Sequence, residues 1–106
     1  MALKRWAIAN FGTSGAGSTQ TLMTATAAKE TIILSLLISN YSDADPANIV
    51  VDHTDGTDTL FKFNVTLPQG NSPMAIDSKI VLEPGDVIQI TSDIDEVSVL
   101  ASGDES

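Results

Sequence analysis

The single histidine of the chain, His53, stands among carboxylates, which is the composition of a divalent-metal site. Asp52 precedes it, and Asp55 and Asp58 follow within five residues. Their spacing differs from that of the calcium-binding loop, in which ligands alternate and a glutamate occupies the twelfth position. The dipeptide Asp55–Gly56 between two alternating segments is typical of a hairpin turn. The sequence therefore predicts a turn here, with neither a metal nor a cofactor.

A glycine-rich segment, Gly12–Ser18, has the composition of a phosphate-binding loop. Such a loop places a lysine and then a serine or threonine directly after its last glycine, because the ammonium group meets the phosphates. No lysine follows here. We predict instead a flexible linker from Gly12 to Thr19.

Three neighbouring acids, Asp93, Asp95 and Glu96, are the residue types of a glycosidic acid–base pair. They fall between two predicted strands, in a domain too small to offer a deep cleft, so we expect solvated loop carboxylates. The sequence also contains no G-x-S-x-G motif to supply a nucleophilic serine. No enzymatic activity is predicted.

Sugar-binding surfaces use exposed aromatic rings, and the chain has only five aromatic residues. Phe61 and Phe63 share the apolar face of a predicted strand and are expected in the core. Trp6 and Tyr41 are candidates for exposure, and packing inside the domain explains them equally well. A glycan-binding module therefore remains an alternative.

The composition of the chain indicates which classes of protein and of site are possible. With 106 residues and 42% hydrophobic side chains, one domain with a core is expected. The absence of cysteine excludes disulfide scaffolds and thiolate sites. A net charge of −9 argues against a nucleic-acid partner, which needs clustered lysine or arginine. No apolar run is long enough to span a bilayer and no secretory signal is evident, so no membrane association is predicted.

The elements that must position these residues are strands, because apolar side chains recur every second residue. Turn residues separate the strands, as at Asp43–Pro46, Pro68–Asn71 and Glu83–Asp86. This spacing predicts an all-β fold, an antiparallel β-sandwich or jelly-roll-like domain of seven or eight short strands. The predicted organisation comprises three segments: an N-terminal strand or arm with its linker (1–19), the sandwich (20–102) and an acidic tail (103–106).

The alternation also predicts which side chains face inward. The continuous apolar segment Thr31–Ser39 is predicted to be a central strand covered on both faces. Together with the other strands it gives an expected core of Ile33, Leu37, Phe61, Phe63, Val65, Ile80, Leu82, Ile88, Ile90 and Val99.

The N-terminal segment combines basic and apolar side chains, a mixture that suits an interface with apolar anchors and a basic rim. Its candidate interface residues are Lys4, Arg5, Trp6, Ile8 and Phe11. The alternative is that Trp6 and Ile8 belong to the first strand of the sandwich.

The order of strands and turns over residues 28–102 resembles a family of small β-sandwich structural proteins of tailed bacteriophages. The residues that carry the resemblance are a strand ending in Ile38–Asn40, the Asp-rich turn, a strand ending at Leu67–Pro68, the segment Lys79–Ile90 with its Glu83–Asp86 turn, and Val97–Val99. The resemblance implies a non-enzymatic part of the virion, assembled in the host bacterial cytoplasm. The capsid decoration (cement) proteins of this class are the favoured comparison.

Such proteins commonly form trimers or higher rings, so the resemblance implies a homotrimer bound to the major capsid protein or another virion protein. A neck, tail or baseplate accessory protein is the first alternative. No individual functional residue follows from the resemblance, because it concerns strands and turns.

Overall fold

A computed structural model describes residues 3–27, 29–70 and 72–106. Within these ranges the chain forms nine strands and no helix. The strands are β1 (Leu3–Ile8), β2 (Ser18–Thr24), β3 (Thr31–Asn40), β4 (Ala47–Thr54), β5 (Thr59–Leu67), β6 (Ser72–Ile76), β7 (Ile80–Leu82), β8 (Val87–Ser92) and β9 (Val97–Glu105). The all-β prediction is confirmed.

The strands form two antiparallel sheets that pack face to face. The first sheet has the order β1-β9-β3-β6, with β7 pairing the other end of β3, and the second has the order β2-β8-β4-β5. The hairpin β4–β5 joins neighbours in one sheet, whereas most other connections cross between the sheets. This order is that of a jelly-roll-like sandwich.

The ninth strand arises because one predicted strand is interrupted. Apolar residues alternate from Met74 to Leu82, which predicts one strand, but the chain leaves the sheet at Asp77–Lys79. β6 and β7 lie one after the other along β3. The turn prediction beside this segment is confirmed: the Asp86 backbone N–H donates to Glu83 O at 3.0 Å, and Gly85 supplies the positive φ.

A bulge in β3 changes which of its side chains face the core. Ile33 pairs with Gly103, but the next pair is Ser35 with Ser102, so Leu34 is an extra residue on β3. Side chains beyond the bulge therefore point to the opposite face from the one that simple alternation gives. The core prediction is wrong for Leu37, which is 42% exposed. It follows that β3 is covered on one face only.

The core prediction is also wrong for Phe61, which is 49% exposed. Its side chain occupies an inward-facing position, but β5 lies at the edge of its sheet, where the two sheets separate. Phe63, Val65 and Ile80 are partly buried and pack against the core. The prediction is confirmed for the fully buried positions Ile33, Leu82, Ile88, Ile90 and Val99.

The C-terminal residues are strand and not a solvated tail. Gly103 and Glu105 are buried in β9, which lies between β1 and β3. A Cβ atom at Gly103 would lie 2.2 Å from the carbonyl oxygen of Ile32, so only glycine allows the two backbones to approach this closely. The predicted tail at 103–106 is therefore wrong, and the sandwich extends from β1 to Glu105.

Candidate functional site

The acidic cluster around His53 does not converge on one point. The imidazole points inward and is buried, with its Nε2 atom 2.9 Å from Oδ2 of Asp86. Asp52 occupies the next position of β4 and therefore the opposite face of the sheet, with Oδ1 3.9 Å from Lys62 Nζ. The described residues contain no group of three or more histidine or acidic side chains placed to hold a metal ion.

Asp55 and Asp58 form the hairpin turn that the sequence predicts. The Asp55 carboxylate accepts hydrogen bonds from the backbone N–H groups of Asp58 at 2.7 Å and Thr57 at 2.9 Å. These two bonds hold the pKa of the Asp55 carboxyl below its ordinary value. Its charge is therefore engaged in shaping the turn between β4 and β5.

The predicted flexible linker is an ordered loop built around a carboxylate. Asp95 accepts hydrogen bonds from the backbone N–H groups of Gly15 and Gly17, the latter at 2.9 Å. Gly17 has a φ of +69°, and a Cβ atom there would lie 2.0 Å from the carbonyl oxygen of Ser92. The glycines thus hold a side chain of the same molecule and do not form a phosphate site.

The other two acids of the predicted loop are not paired for catalysis. Asp93 accepts hydrogen bonds from the Asn48 backbone N–H at 2.8 Å and from its side-chain amide at 3.0 Å. Glu96 is exposed. Asp93 therefore fixes the start of β4, while Asp95 fixes the loop before β2.

The candidate interface residues of the N-terminal segment separate into two groups. Lys4 and Arg5 are exposed on β1, which pairs with β9 along its whole length. Ile8 and Phe11 are 6% and 0% exposed, and Trp6 packs against the core. Ile8 and Phe11 cannot act as interface anchors in this fold, because the sandwich itself buries them.

Lys4 has a partner within the chain. Its Nζ atom lies 3.1 Å from Oε1 of Glu105, and the Thr26 hydroxyl donates to Oε2 at 2.9 Å. The bond from Lys4, followed by that from Thr26, lowers the pKa of the Glu105 carboxyl. This cluster joins β1, the chain after β2, and the end of β9.

This cluster predicts a pH dependence of stability. The pKa of the Glu105 carboxyl is lower in the folded protein than its unfolded-state value of about 4.3, so the ionised carboxylate stabilises the fold at a pH above that value. This stabilisation is lost as the pH falls through the folded-state pKa. The variant Glu105→Gln should therefore be less stable than wild type at pH 7, and the difference should shrink as the pH falls below about 4. Urea unfolding between pH 7 and pH 3 measures it. Glu96→Gln is the control, and an equal pH dependence in both variants would contradict the assignment.

Asn40 organises the neighbouring loops from a fully buried position. Its side-chain Nδ2 donates to the carbonyl oxygens of Asp45 at 3.0 Å, Leu67 at 3.1 Å and Pro68 at 3.2 Å. Its Oδ1 accepts from the Ser42 backbone N–H at 3.0 Å. Sequence reasoning missed this role, because the residue stands at the end of an apolar strand and gives no local signal.

The outer face of the first sheet, meaning the side away from the second sheet, carries a row of apolar side chains. Ala7, Leu100, Leu37 and Ala75 are paired in register across β1, β9, β3 and β6. Leu37 and Leu100 are 42% and 41% exposed. Pro73 continues the apolar surface, and a shallow groove of about 390 Å³ runs beside the row.

Charge is nearly absent from this outer face. Among the outward positions of its described strands, only Arg5 and Asp104 are charged, and their signs are opposite. The second sheet presents polar groups on its outer side, such as Thr19 and Thr91, whose hydroxyls are 2.8 Å apart. In a chain of net charge −9, the outer face of the first sheet therefore has one acidic and one basic side chain and an apolar central row.

The aromatic side chains do not form a sugar-binding platform in the part of the chain described here. Trp6 is partly buried, and Phe11 is enclosed. Tyr41 is 40% exposed, and its hydroxyl donates to the carbonyl oxygen of Ala9 at 3.3 Å. Phe61 packs against Phe63 with 5.7 Å between ring centroids. The exposed rings are thus separate from one another.

No protein-family model and no curated protein matches the chain. Among solved structures, it is similar to a pentameric capsid protein isolated from metagenomic phage sequences, known from two crystal structures. Both are 19% identical with a TM-score of 0.48, and the match covers 95% of this chain. The match spans 60% of the chain in the first structure and 59% in the second. No described helix is long and apolar enough to cross a membrane.

Proposed function

We propose that this chain is a non-enzymatic structural protein of a phage virion, and specifically a capsid decoration protein that binds and stabilises the head. It would bind the major capsid protein through the outer face of the first sheet. The observation that carries the proposal is the apolar row of Ala7, Leu37, Leu100 and Ala75 on an otherwise acidic domain. Contiguous exposed apolar surface is a feature of interaction sites, protein–protein interfaces among them.

The composition of this face supports a protein partner over other classes. The central parts of protein interfaces are depleted of charged side chains and rich in apolar ones. Most acidic groups of the domain, among them Asp43, Asp45 and Glu96, lie in loops at the ends of the strands. They would remain in solvent or meet basic groups of the shell, and their mutual repulsion would oppose unspecific aggregation.

The surface proposed here replaces part of the interface expected from the N-terminal segment. Ile8 and Phe11 are internal, but Ala7 and the exposed Arg5 lie on the outward side of β1. The first strand thus contributes to docking as part of a sheet and not as an arm. Trimeric assembly and virion assembly in the host cytoplasm remain predictions from the resemblance.

Particle binding by surface variants tests the proposal. Leu37→Glu and Leu100→Glu each place a charge in the apolar row, at positions already about two-fifths exposed. Burying an unpaired charge in an interface costs several kcal/mol, so co-sedimentation with particles should fall by about tenfold or more. Thr21→Glu, exposed on the second sheet, is the matched control and should bind like wild type.

The two charge variants should unfold close to the wild-type midpoint, because neither side chain is part of the core. Binding that is unchanged in both would refute the outer face as the docking surface. A wild-type protein that never co-purifies with virions would refute the structural role itself. Cryo-electron microscopy of the particle then decides between the head and the neck, tail or baseplate alternative.

A further inference from the structure

The edge strand β5 differs from every other edge of the sandwich. It ends the second sheet, pairing with β4 on one side only. It has nine residues and includes two exposed apolar side chains: Leu60 is 54% and Phe61 is 49% exposed. An unpaired strand of this kind presents free backbone N–H and C=O groups that another strand can bond.

The other edges in the described ranges carry features that oppose pairing. β1 has only six residues and includes Lys4 and Arg5. β2 is interrupted by a register shift between Thr21 and Met23. β6 contains Pro73, which lacks a backbone N–H, and β7 has three residues. Charge, bulges, proline and shortness are the means by which proteins protect sheet edges. β5 has one charged residue, Lys62, and its register shift lies near its start, so the stretch from Phe61 to Leu67 is uninterrupted.

We propose that β5 pairs antiparallel with β5 of a second copy of this chain, joining the two four-stranded sheets into one across a two-fold axis. The regular part of β5 begins after a register shift near Leu60 and extends from Phe61 to Leu67. Its middle residue is Asn64, so pairing about Asn64 uses the whole stretch. In this register Phe63 lies opposite Val65 of the second copy.

The chemistry of β5 favours a second copy as the occupant. An aromatic side chain opposite a β-branched one is a stabilising cross-strand pair. The strand carries one charge, Lys62, which lies opposite Thr66 of the second copy, so no like charges meet. Moving the register to a centre at Lys62 would oppose two ammonium groups. The chain has a net charge of −9, but β5 contains no acidic residue. Two copies can therefore approach at this edge without acidic groups meeting on the paired strands.

The edge also borders an opening between the sheets that a second copy would cover. This opening, lined by Phe61, Ile76, Lys79 and Val81, has a volume of about 360 Å³. Burying the exposed ring of Phe61 adds to the backbone bonds as a source of affinity. The pairing is independent of the outer face of the first sheet, which lies on the opposite side of the sandwich.

Sedimentation velocity with a charge placed on the axis tests the pairing. In Asn64→Asp, two carboxylates face each other across the two-fold axis, and self-association should weaken by about tenfold or more at low salt. Thr21→Asp adds the same charge to the same outer side at the opposite edge and should associate like wild type. A wild-type monomer at all concentrations, or equal weakening in both variants, would overturn the proposal. A trimer without dimers, which is the state that the resemblance implies, would also overturn it, because a two-fold contact joins copies in pairs.

Hydrogen exchange tests the pairing on the wild-type protein, so its result does not depend on whether a variant folds correctly. The N–H groups of β5 that do not bond to β4 should exchange more slowly as the protein concentration rises. Protection confined to Leu37 and Leu100 on the first sheet would overturn the proposal. If particle binding were lost while the β5 N–H groups stayed protected, only the proposed docking through the outer face of the first sheet would be refuted. The docking proposal and the pairing proposal can therefore be refuted independently.

Discussion

Replacing Phe11 by alanine should reduce the free energy of unfolding by about 3–5 kcal/mol, the usual range for a buried phenylalanine. The ring is 0% exposed and belongs to the central cluster of the sandwich. The loop around it is also held in place, because the Phe11 backbone N–H donates to Asp95 O at 2.9 Å. The surrounding backbone therefore has little freedom to collapse into the cavity. Urea unfolding followed by tryptophan fluorescence measures the loss.

The matched control is Phe61→Ala, which removes the same side chain at a position 49% exposed. The expected loss is about 1 kcal/mol, because much of that ring is already in water. Deleting residues 2–11 should unfold the domain for the same reason that Phe11→Ala destabilises it. A larger loss at Phe61 than at Phe11 would mean that the N-terminal segment lies outside the core.

The strands and turns could be predicted from the sequence because their signals are local. Alternation in Thr59–Leu67 identifies β5 with its observed bounds, and Asp55–Gly56 and Glu83–Asp86 identify two turns. Side-chain alternation follows from the geometry of one strand, and turn residues act within four positions. Neither signal depends on distant parts of the chain.

Burial was harder to predict, because it depends on bulges and sheet edges. One extra residue at Leu34 turns Leu37 outward. Phe61 faces inward, but the sheets separate beside its edge strand. Both effects depend on pairing with distant strands, which the sequence of one strand does not encode. For the same reason the apolar row on the outer face, built from four strands, was not visible in any single segment.

The glycine-rich loop and the C-terminal residues were predicted wrongly for a related reason. Gly12–Thr19 has the composition of a flexible linker, yet Asp95, about 80 positions away, accepts hydrogen bonds from its backbone. Glu105 and its acidic neighbour Asp104 look like a solvated tail, but both belong to β9, which pairs with β1 and β3, and Glu105 is buried. The composition of a segment indicates how it behaves in isolation. In both of these segments the conformation depends instead on residues that are distant in the sequence.

Asn40→Ala should be the most destabilising polar substitution in the described chain. The side chain is 0% exposed, and its loss leaves the Ser42 N–H and the Leu67 carbonyl without their partner. Each buried group left unpaired costs about 1–3 kcal/mol, so a total of about 3 kcal/mol or more is expected. This corresponds to a fall in melting temperature of roughly 10–20 °C for a domain of this size. Asn64→Ala, at an exposed position of β5, should change the melting temperature by about 2 °C or less.

Asn40→Asp separates the contribution of the hydrogen bonds to stability from that of side-chain packing, because asparagine and aspartate have nearly the same size. The carboxylate would face the carbonyl oxygens of Asp45, Leu67 and Pro68, to which Nδ2 now donates. At neutral pH this variant should therefore be no more stable than Asn40→Ala, since a buried charge would replace the donor. Lowering the pH protonates the carboxylate and restores one donor, so its deficit relative to wild type should shrink in acid. A deficit that does not change with pH, or an Asn40→Ala variant as stable as Asn64→Ala, would show that the loops hold their positions without Asn40.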